Sequence, residues 1–241
     1  AFPGRTPAPR LPRELTPRPA GGQLWIAQGT YAESITLKSN VALYGGFSGT
    51  ETTLDQRDST AYETIIDGYG HQHAVVMSSV TNTRLDGLSI TRGGQGVGEN
   101  GADGGGVYCV NADASNAINS CSIRYNQANN SKETCHSFYG DPYLCTQSHS
   151  GGGIYCSNSP VIIHGCTFDN NSASTSGGGM YGGTATDCTF TKNTASSDGG
   201  GMYGGTTTNC ILWGNGSSEV YQTTVTYSCL LDASAKKGNI A

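Results

Sequence analysis

The chain has 241 residues, of which 13% are charged and 35% are hydrophobic, and its formal net charge is −5. So little hydrophobic content predicts disorder unless the pattern is periodic. Four arginines against one glutamate give residues 1–20 a net charge of +3, and nine basic against seventeen acidic residues leave the remainder at −8. Nucleic acids bind basic surfaces, so we exclude them as partners of the acidic body. The chain has no apolar run of about 20 residues, and no transmembrane segment is predicted.

Residues 1–22 form the first predicted segment, and they hold six of the eight prolines. A segment of this composition is expected to be extended and polyproline-like rather than a folding unit. It is either a linker or a basic arm that docks against the acidic body of this chain or of a neighbouring copy. The candidate contact residues of this arm are Arg5, Arg10, Arg13 and Arg18.

Short alternating stretches follow from residue 23, separated by turn residues and by a polar loop at 48–62. Their period of two predicts half-buried strands. The stretches lie at 24–27, 35–37, 41–43, 64–68, 74–77 and 85–90.

A repeated unit occupies the rest of the chain. Each copy has three glycines, an apolar residue and a tyrosine, followed by a Cys-x-apolar-x-x-Asn group. The copies that begin at Gly177 and Gly199 are 22 residues apart, and no copy has a helical period. Such a fixed period predicts a solenoid. Short strands with Gly, Asn and Ser turns favour an all-β parallel β-helix with about 22 residues per coil. Equivalent residues of successive coils then lie about 4.8 Å apart.

Four inward ladders are predicted from this stacking. The first contains Val107, Ile154, Met180 and Met202. The second contains Leu88, Cys121, Cys166, Cys188, Cys210 and Cys229. The third contains Ile90, Ile123, Phe168, Phe190, Leu212 and Leu231, and the fourth contains Asn126, Asn171, Asn193 and Asn215. Buried asparagines at corners satisfy backbone groups where the chain turns.

The order of several segments carries a family resemblance. These segments are 26–31 (IAQGTY), 43–47 (LYGGF), 57–58 (RD), 64–68 (TIIDG) and 87–90 (GLSI). Together they resemble the opening of bacterial right-handed parallel β-helix proteins of the pectin-lyase-like superfamily. The later GGG-x-Tyr and Cys-x-x-x-x-Asn units resemble the repeats of polymorphic outer-membrane proteins and related secreted surface proteins. The resemblance implies a right-handed β-helix over most of the chain.

The domain organisation follows from these patterns. We expect an arm at 1–22 and a β-helix at 23–241, with inserted loops at 94–103 and 127–150 that lie side by side on one flank. Proteins of the resembling group cap the first coil with an amphipathic helix, which the proline-rich arm cannot form. We therefore expect both ends to be uncapped, or the chain to be a fragment.

Nine cysteines in a chain of this length favour an oxidising compartment, so the predicted location is extracellular or at the cell surface. Cys135 and Cys145 lie in one loop and are predicted to form a disulfide, with a metal site that includes His136 and His149 as the alternative. Cys109 and Cys156 are expected to stack in successive coils. They are either a second disulfide or free buried thiols.

No catalytic residue, metal ligand or cofactor is predicted. Enzymes of the resembling fold that cleave acidic polysaccharides need grouped carboxylates. Asp67, Asp86 and Asp103 are the only aspartates near successive coils, and no basic residue recurs in step with them. A polysaccharide lyase or hydrolase that works through the two inserted loops stays as the alternative function.

Aromatic side chains are the predicted interaction surface. Tyr108, Tyr155, Tyr181 and Tyr203 should form an outward row that either stabilises the ladder by stacking or serves as a platform for sugars or a neighbouring molecule. The second loop adds Phe138, Tyr139 and Tyr143. Our hypothesis is a secreted or surface structural and adhesive protein that polymerises head to tail, with copies of itself and surface glycans as partners. A glycan-binding adhesin module of a larger surface protein is a further alternative.

Overall fold

The computed structural model describes residues 22–95, 102–129, 133–136, 142–145 and 148–231, and of 133–136 and 142–145 it describes the backbone alone. Within these ranges the regular structure is all strand, apart from one short 3₁₀ helix at Leu54–Gln56. The strands coil through three long parallel sheets, one strand of each sheet in each turn of the coil. This is the predicted all-β parallel β-helix.

The first sheet contains β1 (Gly22–Ala27), β4 (Val41–Phe47), β7 (Arg84–Asp86), β10 (Ala117–Asn119), β16 (Ile162–His164), β20 (Thr184–Thr186), β24 (Thr206–Thr208) and β27 (Thr224–Thr226). The second sheet contains β2 (Gly29–Tyr31), β5 (Thr64–Asp67), β8 (Ser89–Thr91), β11 (Ser122–Arg124), β17 (Thr167–Asp169), β21 (Thr189–Thr191), β25 (Ile211–Trp213) and β28 (Cys229–Leu230). The third sheet contains β3 (Ile35–Thr36), β6 (Val75–Ser78), β9 (Val107–Val110), β15 (Ile154–Ser157), β19 (Met180–Tyr181), β23 (Met202–Tyr203) and β26 (Val220–Tyr221). Each list runs in spatial order along the axis.

Two smaller sheets complete the fold. A three-stranded parallel sheet lies between the second and third sheets and contains β12 (Gln127–Ala128), β18 (Ser172–Ala173) and β22 (Thr194–Ala195). An antiparallel hairpin in the second inserted loop contains β13 (Glu133–His136) and β14 (Pro142–Cys145). Because β12 pairs with β18, the inserted segment leaves the coil after Ala128.

The core is a set of in-register ladders, as the alternation predicts. Every member of the ladder Val107, Ile154, Met180 and Met202 is fully buried. Phe168 and Phe190 stack with their ring centroids 4.3 Å apart. Each fully buried side chain of this size stabilises the fold by about 1.5–3 kcal/mol. A thin inner row in every coil therefore supports a chain of low hydrophobic content.

The predicted ends of two ladders were wrong by one residue. Ile211 pairs with Cys229, so the position after Cys210 belongs to Ser228, and Leu212 is followed by Leu230 rather than Leu231. The Ser228 hydroxyl replaces a thiol: the Cys210 N–H donates to Ser228 Oγ at 3.0 Å, as the Cys188 N–H donates to Cys210 Sγ at 3.3 Å. Cys229 therefore lies on the outer face of the coil.

The asparagine ladder closes the corner after the second sheet. The backbone N–H of Asn126 donates to Asn171 Oδ1 at 3.1 Å, and the same bond recurs from Asn171 to Asn193 and from Asn193 to Asn215. The side-chain amide of each donates to a backbone carbonyl of the preceding coil, such as Ile90 for Asn126. The last member, Asn215, donates to the buried carboxylate of Glu219, which ends the ladder.

The glycine triplets permit close packing between coils. A Cβ atom on Gly178 would collide with the carbonyl oxygens of Thr194 and Gly200. The chain at Gly178 can therefore approach the corner of the following coil only because its side chain is a hydrogen atom.

Candidate functional site

The tyrosine row exists, and it is longer than the repeat unit predicts. Successive rings stack nearly parallel, with centroid separations of 5.9, 5.0, 5.0 and 5.5 Å through Tyr108, Tyr155, Tyr181, Tyr203 and Tyr221. The His73 ring continues the stack, 4.7 Å from Tyr108. The prediction from the repeat unit did not include Tyr221 and His73, because neither residue follows a glycine triplet.

Stacking determines what this row presents to solvent. The ring faces lie against one another, so the row exposes ring edges and hydroxyl groups. The two terminal rings, His73 and Tyr221, each have one ring partner among the described residues, and Tyr221 is 42% exposed. The geometry favours the stabilising role, and the sugar platform stays a prediction.

The residues that end the two inserted loops are hydrogen-bonded to each other. The Ser150 N–H donates to Asp103 Oδ1 at 2.6 Å, and the Gly104 N–H donates to the Ser150 carbonyl at 3.0 Å. His73 Nδ1 lies 3.0 Å from the Gly104 carbonyl oxygen, and burial lowers the pKa of its imidazole. The buried His149 Nε2 has no hydrogen-bond partner in the described part of the chain.

The carboxylates that a polysaccharide-cleaving enzyme would need are held apart. Asp86 in the first sheet accepts hydrogen bonds from Arg57 at 2.5 Å and from Arg84 at 3.2 Å. Asp67 in the second sheet accepts hydrogen bonds from Nε and Nη2 of Arg92, and this interaction raises the pKa of the arginine. Asp67 and Asp86 are both buried, so their charges serve structural ion pairs.

A shallow groove crosses the outer face of the first sheet near its beginning. Its volume is about 240 Å³. Amide, hydroxyl and guanidinium groups and one aromatic ring line it, contributed by Gln23, Asn40, Tyr44, Asn82, Arg84 and Ser115. Such a lining is suited to hydrogen bonds with a polar ligand.

Seven cysteines lie in the part of the chain whose side chains are described, and all seven are free thiols. Cys109 and Cys156 are register partners in the third sheet, as expected, and both are buried. The hydrogen bond between them, together with burial, raises the pKa of the Cys109 thiol well above its usual value.

In the hairpin, Cys135 lies opposite Tyr143 and Cys145 lies opposite Glu133. The cysteines of the hairpin are thus diagonal neighbours, and their disulfide stays a prediction.

Several predicted site residues lie outside the described residues or side chains. The arm residues Arg5, Arg10, Arg13 and Arg18 precede residue 22, and Phe138 and Tyr139 fall in the gap at 137–141. Of Tyr143 and His136 only the backbone is described. In the described residues no three His, Cys, Asp or Glu side chains are grouped as metal ligands.

Two of the repeats match a known family repeat. Residues 165–182 and 187–204 match the model of the Chlamydia polymorphic membrane protein repeat. These repeats point to a family of outer-membrane or surface proteins, as the sequence resemblance implies. Comparison with curated protein sequences gave no match.

A structural comparison gave the pectin methylesterase from Aspergillus niger in its deglycosylated form. The alignment covers 94% of this chain and 83% of that one, at 14% identity and a TM-score of 0.36. Similarity at this level carries no argument about activity. Among the described residues no helix is long and apolar enough to cross a membrane.

Proposed function

We propose that the protein is a structural rod displayed outside the cell, which associates end to end with further copies of itself. The rod-like fold and its surface-protein repeats support this role. The described carboxylates of Asp67 and Asp86 are engaged in ion pairs that hold the coil, which accords with a structural function.

One observation carries the end-to-end part of the proposal. In the described residues the strands β1, β2 and β3 and the strands β26, β27 and β28 each have a strand neighbour on one side only. Strand edges at the end of a solenoid pair with other strands unless they are covered. The two ends differ, so their contact is heterologous. Strands that pair end to end continue the stacking along the axis of the coil, and a contact that repeats along an axis produces a filament.

Adhesion is a second aspect of the same proposal. The groove with amide and hydroxyl groups on the first sheet would suit a surface glycan. A filament would repeat this groove once per copy, so weak individual contacts would add up by multivalency.

Electron microscopy and sedimentation over a range of concentrations test the assembly. We expect filaments with an axial repeat of about 40 Å, the length of eight or nine strand spacings.

Tyr221→Lys places a charge at the exposed end of the tyrosine row and should prevent assembly. Tyr125→Lys is the matched control, because Tyr125 is similarly exposed but lies away from both ends. Single short rods of the wild-type chain at all concentrations would refute the proposal.

A further inference from the structure

The outer face of the second sheet changes character in its last two coils. One outward ladder contains Ser122, Thr167, Thr189, Ile211 and Cys229. The parallel ladder two residues on contains Arg124, Asp169, Thr191 and then Trp213. Polar residues thus give way to apolar ones at the same strand, β25.

Three exposed apolar residues lie near the end of the second sheet. Ile211 is 49% exposed and Trp213 is 48% exposed, and Tyr227 at the neighbouring corner is 71% exposed. Ile211, Tyr227 and Cys229 line a shared cavity of about 440 Å³, together with Asp187 and Asn209. We call the two aromatic residues Trp213 and Tyr227, together with Ile211, the aromatic patch. Trp213 lies outside this cavity, two residues after Ile211 on the same outer face of β25. Clusters of exposed apolar residues mark interaction sites.

The direction of the patch excludes one way of covering it. Its side chains point away from the coil, perpendicular to the sheet, whereas a further coil stacks along the axis. Another coil, from this chain or from a second copy, would therefore lengthen the second sheet and leave Trp213 exposed. The patch needs a partner that lies across the outside of the sheet.

We propose that the aromatic patch binds the proline-rich arm, residues 1–21, of a second copy of this chain. The inference rests on the proposed end-to-end association and names the contact that secures it. Proline-rich segments dock in grooves lined by aromatic side chains, where proline rings pack on the flat faces. The arm contains Pro9-Arg10-Leu11-Pro12. In a polyproline helix, with three residues per turn, this spacing places both prolines on one side.

Charge supports the same pairing. The arm carries a net charge of +3. In residues 148–231 the single cation Lys192 stands against Asp169, Asp187, Asp198 and Glu219, a net charge of −3. Asp187 is part of the wall of the cavity beside Tyr227, so an arginine of the arm would meet a carboxylate next to this ring. This carboxylate also accepts a hydrogen bond from Asn209 Nδ2 and lies 2.8 Å from His164 Nε2.

Distance favours the arm of a second copy over the chain's own arm. From β2 to β25 there are six strand spacings, about 29 Å, which the chain's own arm must cross along a polar face. In an end-to-end pair the first coil of the second copy follows one spacing, about 4.8 Å, after the last coil. The arm of that copy then starts close to the patch, and 21 residues span about 65 Å when extended as polyproline.

The fluorescence of Trp213 reports on the contact. The chain has two tryptophans, so a full-length Trp25→Phe variant leaves Trp213 as the single emitter. We expect its emission to shift to the blue as the protein concentration rises, with the same midpoint as association in sedimentation. A synthetic peptide of residues 1–21 should produce the shift at low protein concentration and should inhibit association. Double substitution Arg10→Gln and Arg13→Gln in the peptide should weaken its binding.

Surface variants of the full chain locate the contact. Trp213→Ser and Tyr227→Ser should each weaken peptide binding and self-association about tenfold or more, as for an aromatic residue at the centre of an interface. Tyr125→Ser is the matched control and should leave both unchanged.

The possible results separate the inference from the proposed function. Filaments that form regardless of Trp213→Ser, with no effect of the peptide, would overturn the inference and leave end-to-end association standing. Trp213 emission that is already blue-shifted and independent of concentration, with no response to peptide, would show that the chain's own arm covers the patch and would also overturn it. Peptide binding without any association of the full chain would support recognition between arm and patch and would refute the filament.

Discussion

Asn193 uses all the hydrogen-bonding capacity of its side chain inside the coil. Its Nδ2 donates to the Phe168 carbonyl and to Asn215 Oδ1, both at 2.9 Å. Its Oδ1 accepts from the backbone N–H of Asn171 at 3.0 Å and from Asn171 Nδ2 at 2.9 Å. One side chain thus satisfies buried groups in two neighbouring coils, so removing it leaves backbone atoms without partners.

We expect Asn193→Ala to lower the free energy of unfolding by about 2–4 kcal/mol, because buried donors and acceptors lose their partners. Urea denaturation followed by circular dichroism measures the change. Thr194→Ala, at the exposed neighbouring position, is the control and should cost less than about 0.5 kcal/mol. Equal effects of the two substitutions would contradict the role of the ladder.

His73 makes the stability of the fold depend on pH. Burial lowers the pKa of its imidazole below the ordinary value of 6.5, although Asp103 partly opposes the shift. Between the folded pKa and about 6.5 the unfolded chain binds more protons than the folded one, so stability falls as the pH drops through this window. The backbone N–H of Ser48 lowers the pKa of Glu51 from 4.5 to about 2, so the stability that this carboxylate contributes is lost as the pH falls from about 4.5 to about 2.

The wild-type protein should therefore unfold at a lower temperature at pH 5 than at pH 7, and His73→Phe should reduce this difference. Phenylalanine keeps a ring against Tyr108 but cannot be protonated. Thermal unfolding at both pH values measures the effect, and His71→Phe, at an exposed position, is the control. An unchanged pH difference in His73→Phe would show that other groups cause it.

Sequence periodicity predicts residues that recur and misses those that occur once. The spacing of the Cys-x-x-x-x-Asn group predicts the asparagine ladder, and Asn171 and Asn193 confirm it. Glu219, which ends the ladder by accepting from Gly214 N and Asn215 Nδ2, has no counterpart in the other coils. No pattern could indicate that this carboxylate is buried.

Among the elements, the third sheet combines two stabilising layers. Its inner side chains, such as Met180, are fully buried, and its outer tyrosines stack. Tyr181 takes part in two ring contacts, each with centroids 5.0 Å apart. The alternation in Gly-Met-Tyr predicts both faces, but it cannot predict that the rings contact each other, which depends on the exact register of the coils.

Substitution of Tyr181 distinguishes stacking from a binding role. We expect Tyr181→Ala to destabilise the fold by about 1–3 kcal/mol, since each aromatic pair contributes about 0.5–1.5 kcal/mol beyond burial. Tyr181→Phe keeps the ring and should change stability by less than about 0.5 kcal/mol. Denaturant unfolding of both variants provides the comparison. A loss in Tyr181→Phe as large as that in Tyr181→Ala would contradict stacking as the stabilising contact.

The end of the second sheet shows where element-level prediction fails. Cys229 is the next cysteine after Cys210, so the repeat predicted that it continues the cysteine ladder inside the coil. The last coil is shorter: Ser228, the register partner of Cys210, comes 18 positions after it, and its hydroxyl fulfils the same hydrogen-bonding role. A change in coil length moves a residue to the other face, which sequence similarity alone does not reveal.

At the scale of the whole molecule, the inside of the coil is uniform and the outside varies. The inner ladders are continuous from coil to coil, whereas the outer faces differ along the rod: a groove near the beginning, the tyrosine row on the third sheet and the aromatic patch near the end. The fold class follows from the repeats because every coil obeys the same inner pattern. The patch could not be predicted, because Trp213 and Tyr227 lie at outward positions where the repeat imposes no residue type.

Identical coils also have a consequence for how such a protein can change. Gly177 and Gly199, Cys166 and Cys188, and Asn171 and Asn193 are equivalent positions separated by the same 22 residues. Removing or duplicating a segment of this length would join each of these ladders to its own continuation in register. One coil is therefore the unit by which the rod can lengthen or shorten. Gene rearrangement can change its length by about 4.8 Å per coil while the inward ladders continue.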